Sequence, residues 1–339
     1  MTTSPRGIDL DALLPWFEAH APAVTAPLAA TLIAGGRSNL TYRIADATGR
    51  AWALRRPPLG HILPSAHDVA REHRVISALA SSNVPVPPTI GACTDDTVIG
   101  APFYVMDFVE GTVVDEPEAA EPLSMEARHE SGLSLARVLG DLHAVDVASV
   151  GLDTLARPDA YVARQLKRWL DQYFRGRTRE IDDIETVHGL LSARIPEQQS
   201  VSLVHGDYRL GNVIVDDDGQ VRAVLDWELC TLGDPLADVG YLMMAWPQNE
   251  REAVALPAGN TAPGFASRDD VLAAYADASG RDVSDIGFYV ALSYWRLACI
   301  VEGVYARTLA GQQGDKQIDL DHLSRRPPLL AALALEALG

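Results

Sequence analysis

The side chains best equipped for chemistry lie in Val204-His205-Gly206-Asp207-Tyr208-Arg209-Leu210-Gly211-Asn212. Asn212 follows Asp207 by five positions and His205 precedes it by two. Apolar runs at 201–204 and 213–215 read as short buried strands, so the His, the Asp and the Asn share a loop held between them. Fourteen residues after Asn212 comes a second carboxylate, in Leu225-Asp226-Trp227-Glu228. The intervening Asp216-Asp217-Asp218-Gly219 has hairpin-turn chemistry, which would bring Asp226 back beside Asn212. A positioned carboxylate such as Asp207 can take a proton from a hydroxyl. The side-chain oxygens of Asn212 and Asp226 suit a hard cation that also touches phosphates. His205 reads as a packing residue that braces the loop, and Asp216 to Asp218 as turn residues.

The spacing of His205, Asp207 and Asn212 is that of the kinase catalytic loop, in which the Asp accepts the proton of the attacking hydroxyl and the Asn holds magnesium. Such a loop needs a sheet and a helix to present the phosphates. The first half of the chain offers them. A short amphipathic helix over 9–20 precedes strands at Thr31–Ala34, Leu40–Ile44 and Ala51–Arg55, and two further strands are expected at Thr97–Ile99 and Phe103–Val109. Gly35-Gly36-Arg37-Ser38-Asn39, between the first two strands, can fold its amides over phosphates. It lacks the full Gly-x-Gly-x-x-Gly pattern, and an ordinary hairpin turn is the competing reading. There is no Gly-Lys-Ser/Thr, so a P-loop is not supported. Arg55 closes the third strand, where kinases carry a phosphate-pairing lysine; a solvated strand-end arginine, with Arg56 as competitor, is the alternative. Glu72 falls on an apolar stripe with Val69, Ile76 and Leu79 in a helix that Ser65 would cap and that runs to about Ala80. A carboxylate there needs a cation, and Arg55 is the expected partner; at the stripe's edge Glu72 would instead meet water. Asp107-Phe108-Val109-Glu110-Gly111 reads as a hinge whose main chain at Asp107 and Val109 could meet an adenine, with Met106 behind the base or simply in the core.

The rest reads as helical: 125–145, 161–173, 182–193, 267–280, 285–309 and 328–338, with 247–266 as a surface loop. Arg164, Arg168 and Trp169 could face an acceptor, although solvated arginines are commoner. His143, Tyr294 and Trp295 read as packing. Lys and Arg total 28 against 46 Asp and Glu, a formal net charge of −18. That balance argues against nucleic acid or an anionic membrane as partner, and it requires any polyphosphate ligand to be met by local cations or a metal. Cys93, Cys230 and Cys299 show no metal-ligand spacing and read as reduced cytoplasmic thiols. Residues 1–11 carry no apolar signal core. The longest apolar stretch, 288–309, is interrupted by Arg296, Glu302 and Arg307.

His-Gly-Asp-x-x-x-x-Asn, followed by Leu-Asp-Trp-Glu and by Gly233-Asp234-Pro235-Leu236-Ala237-Asp238, resembles the aminoglycoside phosphotransferase family, small-molecule kinases with a protein-kinase-like fold. Leu54-Arg55-Arg56-Pro57-Pro58, Leu63-Pro64-Ser65-Ala66-His67-Asp68, Phe103-Tyr104-Val105-Met106 and the run from Leu225 to Pro235 are similar to one branch. That branch includes the kinase-like half of acyl-CoA dehydrogenase fusion proteins and also carries Arg at the usual Lys position. The resemblance implies an α+β, two-lobed fold: a small five-stranded antiparallel N-lobe with one helix over 1–106, a hinge at 107–111, and a larger, mostly helical C-lobe over 112–339. It further implies ATP and Mg2+, with Asp207 catalytic and Asn212 and Asp226 on the metal. Arg55, Glu72, Gly35, Gly36, Ser38, Asn39, Met106, Asp107 and Val109 would surround the nucleotide, and Asp238 would brace the loop backbone. The implied acceptor is a small-molecule hydroxyl, on a hydroxy acid or hydroxyacyl-CoA rather than an antibiotic. A non-catalytic nucleotide-binding module, a metal-dependent phosphoesterase and an aminoglycoside kinase are the alternatives, and homodimer formation stays open.

Overall fold

The structure, a computed structural model, describes residues 5–34, 39–59, 68–157, 159–311 and 319–339. The chain divides into two compact units, residues 1–111 with 222–230, and residues 112–221 with 231–339.

The first unit begins with α1 (Leu10–His20), capped by the Asp9 side chain. Strands β1 (Ala29–Ala34), β2 (Leu40–Ala45) and β3 (Ala51–Arg56) follow, then α2 (Val69–Leu79), β4 (Thr89–Cys93) and β5 (Phe103–Asp107). They form one antiparallel sheet in the order β1-β2-β3-β5-β4. Successive strand residues face opposite sides of a sheet. One side therefore collects Tyr42, Ile44, Trp52, Leu54, Phe103 and Val105, which pack with Leu13 and Phe17 of α1. The unit thus carries two helices, α1 over the segment expected at 9–20 and α2 over the segment expected to run to about Ala80.

Two expectations need correction here. The strand placed at Thr97–Ile99 is a turn, in which the Thr97 amide and hydroxyl both donate to Asp95. The fifth strand is β4, where the β-branched Thr89 and Ile90 are followed by the weak strand formers Gly91 and Ala92; Gly91 lies under Trp16 and His20 of α1, where a Cβ would meet both rings. α2 is capped by Asp68, which accepts from the Arg71 amide, and starts at Val69. Ser65 lies outside the described residues.

The second unit holds α3 (Met125–His143), α4 (Tyr161–Gly176), α5 (Asp182–Ser192), β6 (Ser202–Val204) and β7 (Val213–Val215). β8 (Val221–Val224) crosses the boundary at 221. β9 (Thr231–Gly233), α6 (Leu236–Met244), α7 (Glu250–Ala255), α8 (Arg268–Ser279), α9 (Ile286–Leu309) and α10 (Leu320–Leu338) complete the chain. β6 and β9 pair antiparallel. α9 is the axis, packed against α4, α5, α6 and α10. Among the described residues no helix is long and apolar enough to cross a membrane.

Two expectations fail in this unit. The surface loop placed at 247–266 contains α7, capped by Asn249, and buries Ala255, Ala258 and Asn260. α10 does not begin at Pro328 but runs through Pro327 and Pro328. A mid-helix proline deletes an N–H and strands the carbonyl four residues earlier. For Pro328 that is Ser324, and Arg179 donates to the Ser324 carbonyl.

Gly240 of α6 sets how closely α6 meets α9. A Cβ there would lie 2.4 Å from the Tyr289 carbonyl carbon. Gly303 of α9 has only the Arg307 side chain nearby, at 3.5 Å. Gly240→Ala is therefore expected to cost about 1–3 kcal/mol by overpacking. Gly303→Ala should be neutral or gain up to about 1 kcal/mol of helix propensity. Urea unfolding of the two variants would check this, and equal stabilities would show that the α6–α9 spacing does not depend on Gly240.

Candidate active site

The loop after β6 is held by its backbone. The His205 and Gly206 amides donate to the two oxygens of Asp238, on α6, at 2.6 and 2.8 Å. Asp238 is 1% exposed, so these charge-assisted bonds replace water around a buried carboxylate. The imidazole of His143 lies 3.5 Å from the same carboxylate through Nε2, with Nδ1 2.8 Å from the Tyr275 hydroxyl. Burial lowers the pKa of His143 against the pull of Asp238. Gly206 has φ +87, a left-handed turn that favours glycine. Its carbonyl accepts from Arg296 of α9 at 3.1 Å. His205 is fully buried; its Nδ1 accepts from the Asp207 amide at 3.3 Å. The packing reading fits it.

Asp207 projects from this braced turn. Its Oδ2 accepts from Asn212 Nδ2 at 2.8 Å, and the same nitrogen donates to the Asp207 carbonyl. With that nitrogen spent, the donor an amide can offer a cation is its oxygen. Arg209 Nε stands 3.8 Å from Asp207 Oδ1. The Tyr241 hydroxyl lies against Asp207, and burial first, then the charge of Asp207, pushes its pKa up so that it stays a protonated donor.

The first unit holds a separate ionic group. Strand alternation puts Arg55 on the face opposite Trp52 and Leu54, toward α2. Arg56 points the other way and donates to the Gly7 and Ile99 carbonyls at 2.6 and 3.0 Å, so the competitor for the Arg55 role is already occupied. Arg55 lies 3.3 Å from Glu72 and 2.9 Å from Asp226. Burial opposes its charge, but Glu72, Tyr104 and Asp226 outweigh that and raise its pKa. Burial pushes the Glu72 carboxyl up to about 7 despite Arg55. Glu72 also accepts from the Trp227 amide and from Asn39, both at 3.3 Å. Asp226 has φ +62, a region that Asp enters more readily than most residues. One guanidinium thus faces two carboxylates. Asp226 is the more open, its side chain 26% exposed against 0% for Glu72. An excess of negative charge carried by an accessible oxygen donor fits a hard cation such as magnesium.

The other expected nucleotide contacts are spread unevenly. Gly35, Gly36 and Ser38 lie outside the described residues. Asn39 is buried, with its amide turned to Glu72. Met106 is 5% exposed in β5, pairing with Ala53 of β3. The amides of Asp107 and Phe108 are committed to the Pro88 and Ala51 carbonyls. Val109 is half-buried. Sequence reasoning missed Tyr241 and Arg296. Tyr241 had a signal: it sits three residues after Asp238, on the same helix face. Arg296 had none, since only the packing of α9 brings it to Gly206.

The model of the phosphotransferase enzyme family matches residues 29–271. Acyl-CoA dehydrogenase family member 10 of Mus musculus is 37% identical over 297 residues, which is 85% of this chain and 27% of that protein. A solved Ralstonia eutropha protein named after the aminoglycoside phosphotransferases is 32% identical, with a TM-score of 0.82, covering 97% of this chain and 98% of that one. The GDP complex of aminoglycoside 2'-phosphotransferase-IIIa has a TM-score of 0.64 at 13% identity, covering 97% of this chain and 99% of that one; at that identity it shows the fold alone.

Asp238→Asn replaces one acceptor oxygen with an amide that faces a buried N–H. It is expected to cost about 1–3 kcal/mol. Denaturant unfolding would measure the loss, and a variant as stable as the parent would show that the loop does not rely on this carboxylate.

Proposed function

Because the chain belongs to the phosphotransferase enzyme family, whose fold here is the two-lobed, protein-kinase-like α+β class, we propose that it is an ATP-dependent kinase that moves the γ-phosphate of ATP to a small-molecule hydroxyl. The observation that carries this reading is the Asp207 carboxylate, fixed by Asn212 at 2.8 Å on a loop whose two preceding amides are tied to Asp238. Asp207 orients the acceptor hydroxyl and takes its proton as the oxygen–phosphorus bond forms and the bond to the departing ADP breaks. Little covalent help is needed in such a transfer, so positioning and charge neutralisation supply most of the rate. Residues 1–106 form the nucleotide lobe in this reading, 107–111 the hinge and 112–339 the acceptor lobe. Arg55, held by Glu72, contacts the phosphates. Asn212 and Asp226 are the proposed magnesium ligands. The ion, when bound, would offset phosphate charge.

The proposed acceptor is a hydroxy acid or hydroxyacyl-CoA. The support is the 37% identity to a mouse protein named as an acyl-CoA dehydrogenase family member. The chain spans 27% of that protein's length, so the comparison bears on a shared segment and leaves the dehydrogenase activity of the whole outside this reading.

Asp207→Ala should lower turnover by about 10²–10⁴-fold, the range of a lost general base, while Mg-ATP binding persists. Full turnover in that variant would remove Asp207 from the chemistry. Asp226→Ala should weaken magnesium-dependent ATP binding by at least about tenfold, which is 1.4 kcal/mol or more. Calorimetric titration with and without magnesium measures this, and an unchanged Mg-ATP affinity would contradict the role.

A further inference from the structure

α4 is strongly basic for a chain of net charge −18. Between Tyr161 and Gly176 it carries Arg164, Lys167, Arg168 and Arg175 against a single carboxylate, Asp171. Lys167 pairs with Asp171 at 3.2 Å, which leaves the three arginines. At about 100° per residue these fall within about 40° of one another around the helix, and all three are exposed.

The next residue, Trp169, joins this face to the catalytic loop. The Arg168 guanidinium lies 5.2 Å from the Trp169 ring centroid, and that of Arg296 lies 5.4 Å from the same ring. The indole nitrogen donates to Gln165 at 2.9 Å, which fixes the ring. Arg296 also stands 5.9 Å from the Tyr241 ring and donates to the carbonyl of Gly206, the residue before Asp207. Among the described residues its Nε is buried without a hydrogen-bond partner. A half-buried guanidinium near two aromatic rings offers a rigid fork of donors. Arg209, beside Asp207, adds a further cation. A half-buried indole between two guanidinium groups, one of them bonded to the catalytic loop, is a poor seat for a cationic acceptor and a good one for an anionic acceptor.

We propose that Arg296, Trp169 and Arg168 are specificity-determining residues that anchor an anionic group of the acceptor, a carboxylate or a phosphate, at a distance from the hydroxyl that Asp207 engages. This rests on the kinase reading for which atom reacts, but the anchoring itself is a binding property. The indole packs against the acceptor's carbon chain. The arginines take the charge, and the bond from Arg296 to Gly206 links occupancy of the anchor to the orientation of Asp207.

Binding to the full chain would be measured by calorimetry for β-hydroxybutyrate, its coenzyme A thioester, the neutral β-hydroxybutyramide and the cationic kanamycin, with Mg-ATP turnover followed in parallel. Both anions should bind at least about tenfold tighter than the amide, and kanamycin no tighter than the amide. Arg296→Gln should weaken both anions by at least about tenfold while Mg-ATP affinity holds, and Arg296→Lys should restore part of the loss. Arg168→Gln, on an exposed site that does not bear on folding, separates the two sources of charge. A larger loss for the thioester assigns Arg168 to phosphate, and a larger loss for the free acid assigns it to carboxylate. Anions that bind no tighter than the amide, or anion affinities unchanged in both Gln variants, would overturn the proposal. Anion binding that depends on Arg296 without any turnover would support the anchor and count against the kinase reading instead.

Discussion

A carboxylate with 1% of its residue exposed has to be answered by donors, and Asp238 is answered by the two amides that open the loop after β6. Asp238 belongs to a helix, so the loop takes its position from helix packing. α6 is seated on α9 through Gly240, and α9 in turn sends Arg296 to the Gly206 carbonyl. Both faces of one peptide turn are therefore tied to the helical core, and Asp207 follows from it. A loop is ordinarily the most variable part of a domain. Here its geometry is set by side chains on rigid elements, which is what a positioned carboxylate requires.

The first unit meets a different constraint. Arg55 is buried in the sheet with Glu72 and Asp226 as neighbours. Removing one partner from a buried ionic group leaves an uncompensated charge that costs several kcal/mol. Arg55 is thus indispensable to the packing of this unit whatever else it touches. Glu72 has a second duty, because its bond to the Trp227 amide helps to hold the backbone that places Asp226 in its left-handed conformation. One buried acid on α2 therefore organises both the cation on β3 and the acidic segment 226–230.

Much of this was legible in the sequence because the motifs are local. The turn from His205 to Asn212 follows from a short run of fixed spacing and the pairing of Arg55 with Glu72 from the strand and helix periods, while the bracing role of Asp238 was implied by the family resemblance. What escaped was set by distant neighbours. β4 continues as a strand through Gly91 and Ala92, which do not prefer extended backbone, because β5 pairs with it and α1 covers Gly91. α7 was hidden in a segment rich in Gly and Pro. α10 crosses two prolines because Arg179, far away in the chain, satisfies a carbonyl that a local reading leaves stranded. Arg296 reaches the Gly206 carbonyl only through the packing of α9, whereas Tyr241 was foreshadowed by its place three residues after Asp238.

The two ends of α4 are treated differently. At its carboxyl end, Thr178 donates to Glu302 of α9 through both its amide and its hydroxyl, and Arg179 reaches both Glu302 and α10. At its amino end no side chain among the described residues caps the helix, and Ala160 turns with φ +48. Ahead of Tyr161 the ties are a buried ring against Gly233 and one bond from Arg164 to the Arg157 carbonyl, whereas a change of length around 177–181 would break side-chain contacts to two core helices. The helix is thus built like a beam set in two different footings: an ionic clamp at its carboxyl root, and a buried ring with one main-chain tie at the other end.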